Sequence, residues 1–376
     1  MRIFVASGIF HPDSGGPATY LYRLLPDLLA RGHEVHALAY GNAPTADYPY
    51  PLTRIPFTFT PIRLVRYANA YRAGAAWADL VYINSLGLPR YGAASRPRVM
   101  KIVGDYAWER AVNKGMIAPT EDIDAFQRRR YTPIVEFLKA ARAREARHVD
   151  RVIVPSAYLR DMVVGWGVEP SSVQVIYNAL DAGVYAPRLS RSDARDPLGW
   201  QRDSHYMLTA GRLTAWKGIN YVIDAVGQVP DLRLVIAGDG PQLETLRARA
   251  APLNDRAIFL GKVPHERMAL LLRAADYLIL YSGYEGLSHT ILEALYAGTP
   301  VIASRRGGNP ELIRDGENGL LVDHPNPEAL VGALRRAFEG DLQARLAANT
   351  AHGLERFAWS DLLDQTIRTL TEVAGR

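Results

Sequence analysis

Tyr281-Ser282-Gly283-Tyr284-Glu285-Gly286-Leu287-Ser288-His289-Thr290-Ile291-Leu292-Glu293-Ala294-Leu295 decides the fold, because an apolar strand over Leu278 to Tyr281 runs there into a loop and then a helix. Ser288 reads as the N-cap, and Ile291, Leu292 and Leu295 as a buried helical stripe. Gly286 lets the backbone come close to a ligand. The free amides of the first turn and the positive end of the helix dipole then face the strand's carboxyl edge, where a phosphate is favoured. Glu285 precedes the helix and Glu293 lies on its body. Carboxylates beside a phosphate are costly unless they hold neutral hydroxyls, so the pair points to a phosphate between two polyols, a nucleotide sugar. The bland alternative is two glutamates on a solvated helix.

The same alternation extends to both ends of the chain. Arg2 to Ser7 is an apolar strand, Gly15-Gly16-Pro17 a loop, Tyr20 to Leu29 an apolar-periodic helix ending at Arg31-Gly32, and Glu34 to Tyr40 a second strand. Strand, glycine loop, helix and strand make a βαβ unit, so a parallel sheet is expected with ligands at its carboxyl edge. Residues 41–62 read as loop around a short strand at Leu52–Ile55; a helix over Leu64–Trp77, a strand over Asp79–Ile83 and a loop with Gly87, Pro89 and Gly92 follow. The strand Arg98–Val103 ends in Gly104-Asp105-Tyr106, which puts Asp105 at a strand's carboxyl end; capping or solvation is its bland reading. In the second half, His205 to Ala210 is a strand followed by Gly211-Arg212-Leu213 and Trp216-Lys217-Gly218. Two cations across such a loop can clamp a pyrophosphate, Arg212 through its planar fork and Lys217 as a point charge.

These motifs together resemble the retaining glycosyltransferases of family 4. Their Glu-x7-Glu signature is matched from Glu285 to Glu293, GRL…KG from Gly211 to Gly218, and the glycine loop by GGPATYLYRLLPDLLARGHEV from Gly15. Asn178-Ala179-Leu180-Asp181 is similar to the family's Asn-Gly-x-Asp, with Ala in place of Gly. The resemblance implies that Glu285 faces the donor sugar, Glu293 the ribose hydroxyls, and Gly286, Leu287 and Ser288 the sugar and phosphate. It further implies that Gly15 and Gly16 reach over the donor and that the backbone at Val263 reads the base. Many members carry a His where Asp105 stands, so its role is left open between orienting a sugar hydroxyl, handling the acceptor proton, and neither.

The expected architecture is α/β with two Rossmann-like domains facing across a cleft, known as GT-B. It comprises an acceptor-binding domain over 1–185, a nucleotide-sugar domain over 186–358 and a C-terminal helix over 359–376 crossing back to the first domain. Ala186 to Ser204 reads as the linker region. The expected activity is retaining, metal-independent transfer of a hexosyl group from a nucleoside diphosphate sugar to a glycan, lipid-linked or small-molecule acceptor. The catalytic set is Asp105, Arg212, Lys217 and Glu285, with no metal or other cofactor. A nucleotide-sugar epimerase and a non-catalytic nucleotide-sugar-binding protein are the rival readings.

Composition bounds the alternatives. A chain of 376 residues, 48% hydrophobic and 22% charged, is long enough for two domains with their own cores. It has no cysteine, which removes disulfides and thiol chemistry, and no run approaches the roughly 20 apolar residues of a membrane span. With no signal-peptide pattern, a cytoplasmic location is expected. Residues 1–180 hold 22 Lys and Arg against 15 Asp and Glu, and the remainder 22 against 24. That excess, and the Arg-rich helical stretch Glu121 to His148, suggest peripheral contact with an anionic membrane; a solvated face is the alternative. Nucleic-acid binding is disfavoured, since aromatics are not interleaved with the basic residues. Asp122-Ile123-Asp124 spells a metal-binding pattern but starts a helix with no strand before it, where acids favour the helix dipole.

Overall fold

The computed structural model describes every residue except 14, 44–46, 91–94, 187–188 and 376, so Gly92 lies outside the described residues. The chain forms two compact units: Met1–Met116, Arg129–Tyr177 and Ser360–Arg376 in the first, Ile117–Arg128 and Asn178–Trp359 in the second.

The first unit is built on a seven-stranded parallel sheet. Its strands are β1 (Arg2–Ala6), β2 (Glu34–Tyr40), β3 (Leu52–Ile55), β4 (Leu80–Ile83), β5 (Arg98–Lys101), β6 (Arg151–Val154) and β7 (Val173–Val175), in spatial order β3-β2-β1-β4-β5-β6-β7. The second unit has six: β8 (His205–Ala210), β9 (Leu232–Ala237), β10 (Ala257–Gly261), β11 (Tyr277–Leu280), β12 (Val301–Ser304) and β13 (Gly319–Val322), in order β10-β9-β8-β11-β12-β13. These are also parallel throughout. The two orders are the same doubly wound pattern, with one strand added at the end of the first. In each, the order reverses at one point, between β1 and β4 and between β8 and β11. Central strands are buried on both faces, so β4 and β11 are apolar along their whole length rather than alternating.

The differences from expectation are local. The helix expected from Leu64 begins at Thr60, because Pro61 fits the first helical turn, where its missing N–H costs nothing. The stretch Glu121 to His148 divides into helices Ile123–Arg128 and Pro133–Arg147, the second again opened by a proline. The first of these lies in the second unit, where Arg306 pairs with Asp122 at 2.9 Å and Asp124 at 3.6 Å, while Asp122 accepts from the Ala125 amide at 2.8 Å. The carboxylates of the Asp-x-Asp pattern thus cap a helix and hold an arginine. Ala186 to Ser204 is not a free linker: it contains the helix Arg191–Arg195, whose Arg195 is buried and bridges Asp276 at 2.8 Å. Arg195 also donates to the carbonyls of Ala274 and Ser204, so one side chain ties the segment to β8 and β11. The helix Trp359–Ala374 carries Thr369, whose hydroxyl donates to Gln174 at 2.8 Å within the first unit. No helix among the described residues is long and apolar enough to cross a membrane.

Candidate active site

The helix His289–Tyr296 starts where the sequence places it, with the Ser288 hydroxyl accepting from the Ile291 amide at 3.3 Å. Ser288 and Leu287 are buried, and Gly286 and Glu285 are partly so. The loop before the helix is held in a narrow slot. A Cβ at Gly307 would sit 2.0 Å from the Glu285 carbonyl oxygen, and one at Gly308 2.3 Å from that of Gly286. The Gly308 amide donates to the Glu285 carbonyl at 3.0 Å. From the other direction Gly218, at φ 65°, approaches Tyr281 so closely that a Cβ would lie 2.0 Å from its carbonyl oxygen, and the Gly283 amide donates to Trp216 O at 2.7 Å. Only glycine allows these approaches, so the loops after β8, β11 and β12 are packed backbone to backbone.

That packing brings two of the proposed site side chains into contact. Lys217 Nζ donates to Glu285 Oε1 at 2.6 Å, both side chains largely shielded. Lysine keeps two further N–H donors beyond this bond. Arg212 is exposed in the loop after β8, beside Gly211, which is also exposed and has φ 142°. Its neighbour Leu213 takes a backbone bond to Asp239 O at 2.9 Å, which docks the Arg212 loop on the Gly238–Gly240 turn. Val263 is partly buried in the turn after β10, two residues past Gly261, whose carbonyl accepts from Gly238 at 2.8 Å.

Glu293 is hydrogen-bonded to Tyr185, and burial lifts its carboxyl to about 7, a rise that the Tyr185 hydroxyl opposes. Tyr185 is itself buried, and burial together with the Glu293 charge pushes its phenol well above the usual range. Asn178 Nδ2 donates to the Leu287 carbonyl at 3.1 Å, fixing the loop from beneath. Neither Tyr185 nor the role of Asn178 was read from the sequence. Asn178 stood in a motif that had been singled out, whereas nothing near Tyr185 in the chain points to Glu293.

In the first unit, Gly15 caps the helix Gly16–Ala30 at φ 148°, and both glycines are exposed. Asp105 differs from its expected role. Its Oδ1 accepts from the amides of Ala107 at 2.9 Å and Trp108 at 3.1 Å, as the N-cap of the helix Tyr106–Asn113. Its other oxygen is paired with the buried Arg142, whose guanidinium also lies 4.4 Å from the Trp166 ring centroid. A carboxylate with no exposed surface and both oxygens engaged is a fastening, not a free acid or nucleophile.

Residues 14–184 match the Glycosyltransferase Family 4 description and residues 190–352 that of Glycosyl transferases group 1. The D-inositol 3-phosphate glycosyltransferase of Acidothermus cellulolyticus is 34% identical over 221 residues, 54% of this chain and 49% of that protein. An uncharacterized glycosyltransferase of Methanocaldococcus jannaschii is 30% identical over 240 residues, 60% of this chain and 62% of that one. The matched segments thus span about half the length of these relatives. Among solved structures, sucrose-phosphate synthase from Thermosynechococcus elongatus superposes with a TM-score of 0.81 at 23% identity, covering 99% of this chain and 98% of the other. HepE of Anabaena, solved in complex with UDP-glucose, superposes with a TM-score of 0.78 at 21% identity, covering 99% and 100%. With two glycosyltransferase descriptions matched in chain order and the doubly wound fold repeated in both units, the chain belongs to the family 4 glycosyltransferases of GT-B architecture.

Proposed function

We propose that the protein moves a hexosyl group from a nucleoside diphosphate sugar to a glycan, lipid-linked or small-molecule acceptor, with retention of configuration and without a metal. The observation that carries this reading is the meeting of Lys217 and Glu285 beside a helix start capped by Ser288. Charge develops on the diphosphate as the glycosidic bond breaks, and fixed donors aimed at that charge lower the barrier. Lys217 has donors to spare after bonding Glu285, Arg212 is exposed for a bidentate grip, and the first-turn amides add theirs. Glu285, held by Lys217, is turned to sugar hydroxyls rather than to phosphate. Glu293, held by Tyr185, takes the ribose. The catalytic set we retain is therefore Arg212, Lys217 and Glu285, with Asp105 assigned to positioning the helix that follows it.

Thermal shift with UDP-, GDP- and ADP-sugars identifies the donor, and NMR of the product's anomeric proton reads the stereochemistry. An inverted product, or activity lost in EDTA and restored by a divalent ion, overturns the corresponding part. Incubation with donor alone exposes an epimerase.

We also assign peripheral membrane contact to the helix Pro133–Arg147, whose Ile134 and Phe137 are 62% and 71% exposed in its first half and whose last turn carries Arg144 and Arg147. Exposed apolar side chains on a helix that also carries cations suit an anionic bilayer surface. Co-sedimentation with anionic vesicles that is weakened by salt supports it; equal recovery with neutral vesicles removes it.

A further inference from the structure

The Asp122-Ile123-Asp124 pattern has no task in the donor chemistry above, but one arginine connects it to the loop that carries Glu285. Both carboxylates meet Arg306, while Asp122 keeps its other oxygen for the Ala125 amide. The segment Ile117–Arg128 that carries them belongs to the second unit, and its Ile123 and Phe126 are buried. The chain on either side of it belongs to the first unit.

Arg306 stands at a junction. Its Nε and Nη2 donate to the His324 carbonyl at 3.1 and 3.0 Å. The His324 ring abuts Gly283, where a Cβ would lie 3.1 Å from its Cε1, and its centroid is 4.8 Å from that of Tyr281. Tyr281 fixes the same turn, donating to the Asp323 carbonyl at 2.6 Å and accepting from the Asn326 amide at 2.7 Å. Along the chain, Arg306 is followed directly by Gly307 and Gly308, whose backbones close on the carbonyls of Glu285 and Gly286. The Glu285 loop is thus gripped from two sides: by the glycines after Arg306 and, through Gly283, by the turn that Arg306 holds. A carbonyl alone holds a guanidinium less firmly than a carboxylate does, because bonds between two charged groups are roughly twice as strong as neutral ones. Asp122 and Asp124 therefore decide how firmly the junction is set.

We propose that Ile117–Arg128 is a positioning element for the donor loop: Asp122 and Asp124 set Arg306, and Arg306 sets the loop from Gly283 to Gly286 so that Glu285 meets the sugar. This role rests on the reading of Lys217 and Glu285 as donor residues. The bare diphosphate, held by Arg212, Lys217 and the helix start, has no need of Glu285, so the effect falls on the sugar.

The test uses the full chain with Asp122→Asn/Asp124→Asn, with Arg306→Gln, and with all three changes together. Asparagine still caps a helix start, so the first variant removes the charges and keeps the cap. Calorimetry measures the affinity for UDP-, GDP- and ADP-glucose and for each nucleoside diphosphate alone, and thermal melting is followed in parallel. The Kd of the nucleotide sugar rises about fivefold or more in both variants, while that of its nucleoside diphosphate and the melting temperature change little. The combined variant is no weaker than Arg306→Gln, since all three changes break one chain of contacts. Unchanged sugar binding in the variants, equal weakening of both ligands, or losses that add up in the combined variant each overturn the proposal and leave the donor reading standing. Should Arg306→Gln not fold, the paired asparagines decide by the first two criteria. If no nucleotide sugar binds wild type, the donor reading itself falls and takes this role with it.

Discussion

The two units share one strand order yet treat charge at their sheet edges in opposite ways. In the second, Lys217 is bonded to Glu285 and Glu293 to Tyr185, so these ionisable groups are satisfied in the resting protein. In the first, Asp105 is consumed by Arg142 and two backbone amides, while Lys101, four residues before it, has only an aromatic ring against its ammonium among the described residues. Partnered charges are cheap to hold ready and can be handed to a ligand that arrives with charge of its own. A lone buried amine is a standing penalty.

This contrast can be attacked at four points, beginning with the largest effect on activity. Lys217→Ala and Glu293→Ala should each lower kcat/KM for transfer by about 100-fold or more, the scale of losing a preorganised donor or substrate clamp, with the melting temperature little changed. Turnover like wild type in either variant removes the site assignment. Asp105→Asn should cost about 3–5 kcal/mol of stability in chemical denaturation, because it strands Arg142 in the interior, while activity per folded molecule is kept. Activity lost without loss of stability would return Asp105 to the chemistry.

Lys101→Met should be more stable than wild type by at most about 5 kcal/mol near neutral pH, because burial in the folded chain holds the amine at about 7 rather than 10.5. The sign follows from proton counting. The folded chain holds the amine at about 7 against 10.5 for the free group, so the unfolded chain binds more protons between those values. Wild-type stability therefore gains on the variant as pH rises through that window, and the margin closes above it. A margin independent of pH shows that Lys101 is not held near neutrality.

The smallest effect concerns Glu293, raised from 4.5 to about 7. The folded state binds the extra proton between these values, so this group's contribution to stability falls as pH rises from the lower to the higher. Two ribose hydroxyls need the ionised carboxylate, so nucleotide-sugar binding measured by calorimetry should weaken several-fold per pH unit below about 7 and release a proton. Tyr185→Phe removes the bond that favours ionisation and should move that break to higher pH. No movement would mean Tyr185 only fills space.

Much of this was legible because parallel strands buried on both faces announce themselves as short apolar runs, and because Ser288 and the prolines use local rules of helix ends. The Glu285 to Glu293 spacing points to a candidate site in the second unit for the same reason, being set within one loop and one helix. What escaped were matters of direction and distant contact. A carboxylate at a strand end can point out to a ligand or back into the first turn of the next helix, and nothing beside Asp105 distinguishes these; the deciding partner, Arg142, sits two elements later. Arg142 in turn reads as one more cation on a basic helix until its face is known to pack on Trp166. Ala186 to Ser204 looked like tether because Pro, Gly and mixed charges dominate it, whereas a single buried contact, Arg195 to Asp276, makes it part of a core.

The assignment of Ile117–Arg128 to the second unit and Ser360–Arg376 to the first has a practical outcome for anyone wishing to study the halves alone. The polypeptide passes from one body to the other after Met116, Arg128, Tyr177 and Trp359, so no single scission liberates either as a continuous piece. A truncation after Tyr177 would leave Arg306 without its two aspartates and Gln174 without Thr369. Gene fusions or swaps with relatives must therefore exchange interleaved segments together.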